Sequence, residues 1–171
     1  MEEKRKQDGL ENRLARVMQE RGWTVATAES CTAGGLAHRI TRVAGASDYF
    51  PGGVVAYSNR IKTQLLGVSE ELLAAHGAVS RQTAEAMALG AASRIGADIG
   101  VGITGIAGPG GGSPDKPVGL VYIAVGSPET VSCKRFVFAG DRAAVREQAI
   151  TEALRMLDEW TRGRGGSESR P

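Results

Sequence analysis

Four chemically active side chains stand next to one another at residues 29–32, in the order Glu29-Ser30-Cys31-Thr32. The apolar pattern predicts a strand before them and a helix after them, so they lie at a strand-to-helix turn. Such a turn offers unpaired backbone N–H groups and the positive end of a helix dipole. Ser30 is therefore a candidate nucleophile, with N–H groups near Thr32 to Gly34 to stabilise an oxyanion. The alternative is that Ser30 or Thr32 only caps the helix.

Cys31 is a second candidate nucleophile, because a helix N-terminus lowers the pKa of a thiol. The usual partner of a catalytic thiol is a histidine. The two histidines are His38, about two turns into the following helix, and His76, at the end of a short helix. This spacing favours the serine and leaves the thiol as an alternative. Glu29 either accepts from nearby backbone or orients a partner.

Lys62 is the candidate base for a serine that lacks a nearby histidine. Ile61, Leu65 and Leu66 predict the apolar stripe of a short helix, and Lys62 falls inside that stripe. Burial lowers the pKa of a lysine and allows it to act as a base. The alternative is a side chain whose stem covers the core while its charge reaches water. Tyr57, in the preceding loop, is placed to donate or relay a proton.

Glycine is concentrated in one part of the chain: seven of the thirteen residues from Gly100 to Gly112 are glycine. The run GITGIAGPGGGSPDKP at residues 102–117 is not a P-loop, and the helix of a dinucleotide-binding motif is absent. Such a backbone can approach a ligand closely and offer N–H groups to an anion. We predict a binding loop here rather than a plain surface loop. Its candidate residues are Thr104, Gly105, Gly108 and Gly110.

Arg142 is a candidate to bind an anionic group of the substrate. It shares one face of the predicted C-terminal helix with Arg146, four residues later. A cation in the first turn of a helix opposes the helix dipole, so a compensating anion is expected. The alternative is ordinary pairing with Asp141 or Glu147.

The elements that position these residues alternate between strands and helices. Strands are predicted at 23–28, 52–58, 99–105, 118–126 and 130–138. Close spacing of the last two strands favours an antiparallel hairpin. The pattern predicts an α/β fold, a three-layer α/β/α sandwich with a mixed sheet of about five strands. Ligands bind at the carboxyl ends of the strands in such folds, where the loops 29–35, 57–62 and 104–116 come together.

Helices are predicted at about 33–43, at 59–67 and in the segments that follow the candidate caps Ser69, Ser80 and Asp141. We expect a single domain at 1–162 and a disordered, polar and glycine-rich tail at 163–171.

Composition excludes several classes of protein. A net charge of +2 and 5% aromatic residues argue against a nucleic-acid partner. No run reaches the length of a membrane span. The two cysteines are too few for a disulfide framework, which fits a reducing, cytoplasmic setting. Scattered His, Cys and acidic residues predict no metal site.

Several longer motifs carry a resemblance to a known family, in order from about Leu10 to Trp160. They are TAESCTAGGLAHRIT, GGVVAYSNRIKTQLLGV, HGAVS, GITGIAGPGGG, KPVGLVYIAV and GDRAAVR. These motifs resemble the C-terminal domain of CinA, the competence/damage-inducible protein, whose stand-alone members are called PncC. The resemblance implies hydrolysis of nicotinamide mononucleotide to nicotinate mononucleotide and ammonia. It also implies a homo-oligomer, for which we favour a dimer.

The residues and the resemblance together predict a cofactor-free amidohydrolase. The family's serine, tyrosine and lysine match Ser30, Tyr57 and Lys62. Ser30 attacks the carboxamide carbon, neutral Lys62 takes its proton, and Tyr57 or Thr104 positions the amide or passes a proton to the departing ammonia. The predicted substrate-binding residues are Glu29, Cys31, Thr32, Gly34, Gly105, Gly108, Gly110 and Arg142. The alternative function is a non-catalytic nucleotide-binding or competence-related regulatory module.

Overall fold

A five-stranded mixed sheet forms the centre of the fold in the computed structural model, which describes residues 9–163. Its strands are β1 Val25–Glu29, β2 Gly52–Val55, β3 Ile99–Gly105, β4 Leu120–Ser127 and β5 Thr130–Val137. Their order across the sheet is β2-β1-β3-β4-β5. β1 runs parallel to both β2 and β3, whereas β4 runs antiparallel to β3 and β5. The predicted mixed sheet and the terminal hairpin are confirmed.

Six α-helices cover the two faces of this sheet within the described residues. They are α1 Leu10–Arg21, α2 Gly35–Thr41, α3 Asn59–Leu66, α4 Glu70–His76, α5 Arg81–Ile95 and α6 Arg142–Gly163. The larger core joins α1, α2 and α6 to one face, and two smaller clusters join α3, α4 and α5 to the other. The predicted three-layer α/β/α arrangement is confirmed.

Hydroxyl and carboxylate caps begin four of the helices. The side chains of Ser58, Ser69 and Ser80 accept from N–H groups in the first turns of α3, α4 and α5. Asp141 accepts from the N–H of Ala144 at 2.9 Å at the start of α6. Such caps are worth about 1 kcal/mol each, and those at Ser69, Ser80 and Asp141 were predicted.

Two of the clustered glycines serve helix packing. A Cβ on Gly100 would lie 1.8 Å from the carbonyl oxygen of Ala88, and one on Gly102 would lie 2.2 Å from that of Ala84. Both oxygens belong to the backbone of α5. These glycines therefore allow α5 to lie directly against β3, and this part of the glycine cluster needs no ligand to explain it.

Several predicted boundaries differ from the structure by one to three residues. β2 ends at Val55 rather than at residue 58, because the chain leaves the sheet to begin α3 at the Ser58 cap. α2 begins at Gly35 and is shorter than the predicted 33–43. Gly163 is still helical, although the tail was predicted to begin there, and the remaining predicted tail at 164–171 lies outside the described residues.

None of the helices that the structure describes is both long and apolar enough to cross a membrane.

Candidate active site

The carboxyl ends of β1, β2 and β3 lie side by side because these strands are parallel. The Ser30 N–H, just after β1, donates to the carbonyl oxygen of Ile103 in β3 at 3.0 Å. On the other side, the Ala56 N–H, just after β2, donates to that of Glu29 at 2.8 Å. The predicted convergence of the three loops at this edge of the sheet is therefore present.

Ser30 and Lys62 are in direct contact although 32 residues separate them. Lys62 Nζ lies 3.2 Å from Ser30 Oγ and donates to the carbonyl oxygen of Ala56 at 2.9 Å. The Lys62 side chain is 1% exposed, so its amine does not reach water as the alternative interpretation required. A neutral amine in this position can accept the Ser30 proton.

The surroundings of Lys62 favour its neutral form. Burial lowers the pKa of Lys62 from its ordinary value of 10.5, and the Cys31 thiolate has a smaller, opposite effect on that pKa. Within residues 9–163 Lys62 makes no ion pair with a carboxylate that would hold its charge.

Glu29 caps α2. Its Oε2 accepts from the N–H of Leu36 at 3.0 Å and its Oε1 from that of Ala37 at 2.9 Å. Neither Ser30 nor Thr32 caps this helix, so the capping alternative for them is wrong. Glu29 is also fully buried, and both of its carboxylate oxygens accept from backbone, an arrangement that does not support its predicted contact with substrate.

The turn after Ser30 carries backbone N–H groups that no oxygen of the described residues accepts from. Ala33 and Gly34 have left-handed φ angles of 49° and 92°. The Ala33 N–H donates to the Ser30 carbonyl at 3.1 Å, and the Gly35 N–H donates to that of Thr32 at 3.0 Å. Among the described residues, no oxygen acceptor is found for the N–H groups of Cys31, Thr32 and Gly34. These three N–H groups are the candidate oxyanion donors, in the region predicted for them.

The Cys31 thiol is not poised for catalysis. Its side chain belongs to the larger core, and burial raises the pKa of Cys31 to about 11. The thiolate is therefore scarce near neutral pH, which disfavours the thiol alternative. The Thr32 side chain is also fully buried. Neither side chain is therefore presented to a substrate as predicted.

The hydroxyl groups of Thr104 and Tyr57 are bonded elsewhere. Thr104 Oγ1 donates to the Ala78 carbonyl at 2.6 Å, which joins β3 to the loop before α5. Tyr57 is 59% exposed, and its Oη accepts from Arg142 Nη2 at 2.8 Å. Neither hydroxyl contacts Ser30 or Lys62, so this arrangement does not support the proton relay predicted for them.

Arg142 connects two of the site loops. Besides Tyr57, it donates through Nη1 to the Gly108 carbonyl at 2.9 Å. Gly110 has open space around it, whereas a Cβ on Gly105 would lie 2.7 Å from the Leu120 carbonyl oxygen, so Gly105 serves strand packing. In the described part of the chain Arg142 pairs with no carboxylate, and the predicted alternative of pairing with Asp141 or Glu147 is wrong.

Two further residues of the site were not predicted. The carbonyl of Ala56 holds the Lys62 amine, and Arg146 Nη2 donates to the Thr32 carbonyl at 3.1 Å. The spacing of Arg146 from Arg142 was a signal for the second of these, whereas a backbone acceptor such as Ala56 leaves no trace in side-chain patterns.

The geometry as a whole suits acyl transfer. It combines a hydroxyl, an amine whose pKa is lowered by burial, and N–H groups without an oxygen acceptor in the described structure on the turn that carries the hydroxyl. Within residues 9–163 no group of three or more His, Cys, Asp and Glu side chains could hold a metal ion.

The sequence of this chain matches a known family and several of its members. The family model of the CinA C-terminal domain matches residues 7–161. A CinA-like protein of Mycolicibacterium gilvum is 58% identical over 137 residues, which cover 80% of this chain and 32% of that protein. One from Thermosynechococcus vestitus is 52% identical over 154 residues, covering 88% of this chain and 37% of that protein. The chain spans about a third of the length of these relatives.

Solved structures show the same fold. A CinA superfamily protein from Klebsiella pneumoniae superposes with a TM-score of 0.86 at 38% identity, covering 90% of this chain and 96% of the other. The competence/damage inducible protein CihA of Agrobacterium tumefaciens gives a TM-score of 0.82 at 42% identity, with coverage of 89% and 96%.

Proposed function

The chain belongs to the CinA C-terminal domain family, and from this premise we propose that it is an amidohydrolase. Its proposed reaction is the conversion of nicotinamide mononucleotide and water to nicotinate mononucleotide and ammonia. The observation that carries the proposal is the buried contact of 3.2 Å between Ser30 Oγ and Lys62 Nζ.

The first half of the reaction forms an ester between Ser30 and the nicotinoyl group. Neutral Lys62 takes the hydroxyl proton while Ser30 Oγ attacks the carboxamide carbon. The N–H groups of Cys31, Thr32 and Gly34 are the candidates to stabilise the oxyanion. The carbon–nitrogen bond then breaks, and the Lys62 ammonium gives its proton to the departing amide nitrogen, which leaves as ammonia.

The second half repeats the same proton transfers with water. Neutral Lys62 takes a proton from water, the hydroxide attacks the ester carbon, and Ser30 leaves and recovers its proton from Lys62. The carbonyl of Ala56 accepts from the Lys62 amine throughout. That bond holds the Lys62 nitrogen next to Ser30 in both halves.

Ammonia release from nicotinamide mononucleotide tests this proposal. We expect Ser30→Ala to lose turnover by a factor of up to about 10⁶ while still binding the nucleotide, because it removes the attacking atom. Cys31→Ala is the matched control at the adjacent residue and should keep most of the activity.

Three outcomes would count against the proposed reaction. Near-normal turnover by Ser30→Ala would remove the serine mechanism. Loss of turnover in Cys31→Ala alone would favour the thiol. A wild-type protein that binds the nucleotide without releasing ammonia would instead be the non-catalytic module considered above.

A further inference from the structure

One face of α6 contacts the site at three successive turns. Arg142 reaches Gly108 and Tyr57, as described above. Arg146, four residues later, donates to the Thr32 carbonyl at 3.1 Å. Ile150, four residues later again, packs so closely on α2 that a Cβ on Gly35 would lie 2.4 Å from Ile150 Cδ1. The Ser30–Gly35 turn is therefore in contact with α6 at Thr32 and at Gly35.

Within the part of the chain that the structure describes, Arg146 is held by its hydrogen bond to Thr32 and not by an ion pair. Its side chain is half-buried and, among the described residues, it pairs with no carboxylate. Its buried Nε has no hydrogen-bond partner there either. An ion pair that stabilises the fold therefore does not account for this arginine. Its hydrogen bond is made to the backbone of the turn that carries Ser30.

The position of that bond matters for the shape of the turn. The Thr32 carbonyl belongs to the peptide group that joins Thr32 to Ala33, whose N–H donates to the Ser30 carbonyl at 3.1 Å. Ala33 has a φ of 49°, a left-handed conformation that a residue with a Cβ seldom adopts. Such a conformation persists only where its surroundings hold it. Arg146 and the Gly35 N–H hold the carbonyl side of this peptide.

We propose that Arg146 is a positioning residue that keeps the turn after Ser30 in the conformation whose N–H groups face the oxyanion. This inference rests on the proposed amidohydrolase function. A guanidinium on the Thr32 carbonyl orients the peptide at the left-handed residue. The N–H of Gly34, on the far side of Ala33, takes its direction from that conformation.

The kinetic test compares Arg146→Met with Arg146→Lys. We expect Arg146→Met to lower kcat by about 10²-fold, the effect of losing an oxyanion donor, with a KM within about threefold of wild type. Arg146→Lys should recover part of kcat, since an ammonium can donate to the same carbonyl. Arg155→Met on the same helix removes an exposed arginine paired with Glu152 and should leave both constants unchanged.

Hydrogen exchange gives a second test that does not depend on turnover. In Arg146→Met the amides of residues 31–37 should exchange faster than in wild type, with the strands unaffected; Arg155→Met should show no such change. Should Arg146→Met fail to fold, Arg146→Ala takes its place, because alanine favours the helix and also lacks a donor. Unchanged kcat and unchanged local exchange, or exchange that accelerates equally throughout the chain, would overturn the inference.

The two tests separate this inference from the proposed function. A wild-type protein without ammonia release defeats the proposed function alone, and the exchange of residues 31–37 then decides whether Arg146 holds the turn. An active wild-type protein whose Arg146→Met variant matches it in kcat and exchange defeats the inference alone.

Discussion

The burial of Lys62 opposes folding while its amine is charged, and in the proposed mechanism the same burial makes Lys62 a base. Its folded-state pKa lies below its ordinary value of 10.5 because the charged form is desolvated. Between the folded and unfolded pKa values the unfolded chain therefore binds more protons. Stability contributed through Lys62 rises with pH across that window and is lost as the pH falls through it. Activity should rise with pH over the ionisation of Lys62 in the folded enzyme.

Lys62→Met should therefore separate activity from stability. We expect no ammonia release, because the base is gone, together with a free energy of unfolding at neutral pH at least equal to that of wild type. Lys62→Arg should also be inactive, since a guanidinium does not give up its proton near neutral pH. Urea unfolding at several pH values measures the stability, and an ammonia assay measures the activity.

Two results would contradict these predictions for Lys62. An active Lys62→Arg protein would leave Lys62 as an electrostatic contact and not a base. A Lys62→Met protein that is clearly less stable at neutral pH would show that the charged amine contributes favourably to folding.

At the scale of elements, the start of α6 contacts two of the site loops. Arg142 is the first residue of this helix and is exposed. A cation there opposes the helix dipole at a cost of about 0.3–1 kcal/mol. It lies between Tyr57 and Gly108 and has no carboxylate partner within residues 9–163. This placement suits a residue that binds the phosphate of a nucleotide substrate.

Arg142→Ala should lower kcat/KM for nicotinamide mononucleotide by more than about tenfold, since binding energy from a remote phosphate can be used at the reacting carbon. The same change should have little effect on hydrolysis of nicotinamide riboside, which lacks the phosphate. Arg155→Ala is the control on the same helix.

Equal kcat/KM for the nucleotide, the riboside and free nicotinamide in wild type would contradict any phosphate site. If removing the phosphate lowers kcat/KM equally in wild type and in Arg142→Ala, Arg142 does not bind the phosphate. The loop around Gly108 would then be the binding element.

At the scale of the whole molecule, the short distance between α5 and the sheet depends on glycines in β3, which have no side chain. Gly102→Ala should destabilise the protein by about 1–3 kcal/mol, because the new Cβ would lie 2.2 Å from the Ala84 carbonyl oxygen. Gly110→Ala should leave the free energy of unfolding nearly unchanged, as nothing lies within 4 Å of its Cβ position. Urea unfolding of both variants measures the difference, and similar losses would contradict the packing role of Gly102.

Local patterns alone determined the elements of this protein and two members of its site. Ser69, Ser80 and Asp141 cap the helices that their sequence context predicts, because a cap bonds N–H groups only two or three residues away. Lys62 stood out because helical periodicity placed it among apolar residues. Ser30 stood out because strand and helix patterns meet beside it.

Only the tertiary structure decided how these residues are used. Glu29 caps α2 from seven residues away, a task that the sequence equally allowed to Ser30 or Thr32. Tyr57 meets Arg142 across 85 residues, and Arg146 meets Thr32 across 114. Such contacts depend on how the helices pack on the two faces of one sheet. No periodicity within a single element encodes that packing. The sequence therefore predicted which chemical groups lie at the site but not which of them contact one another.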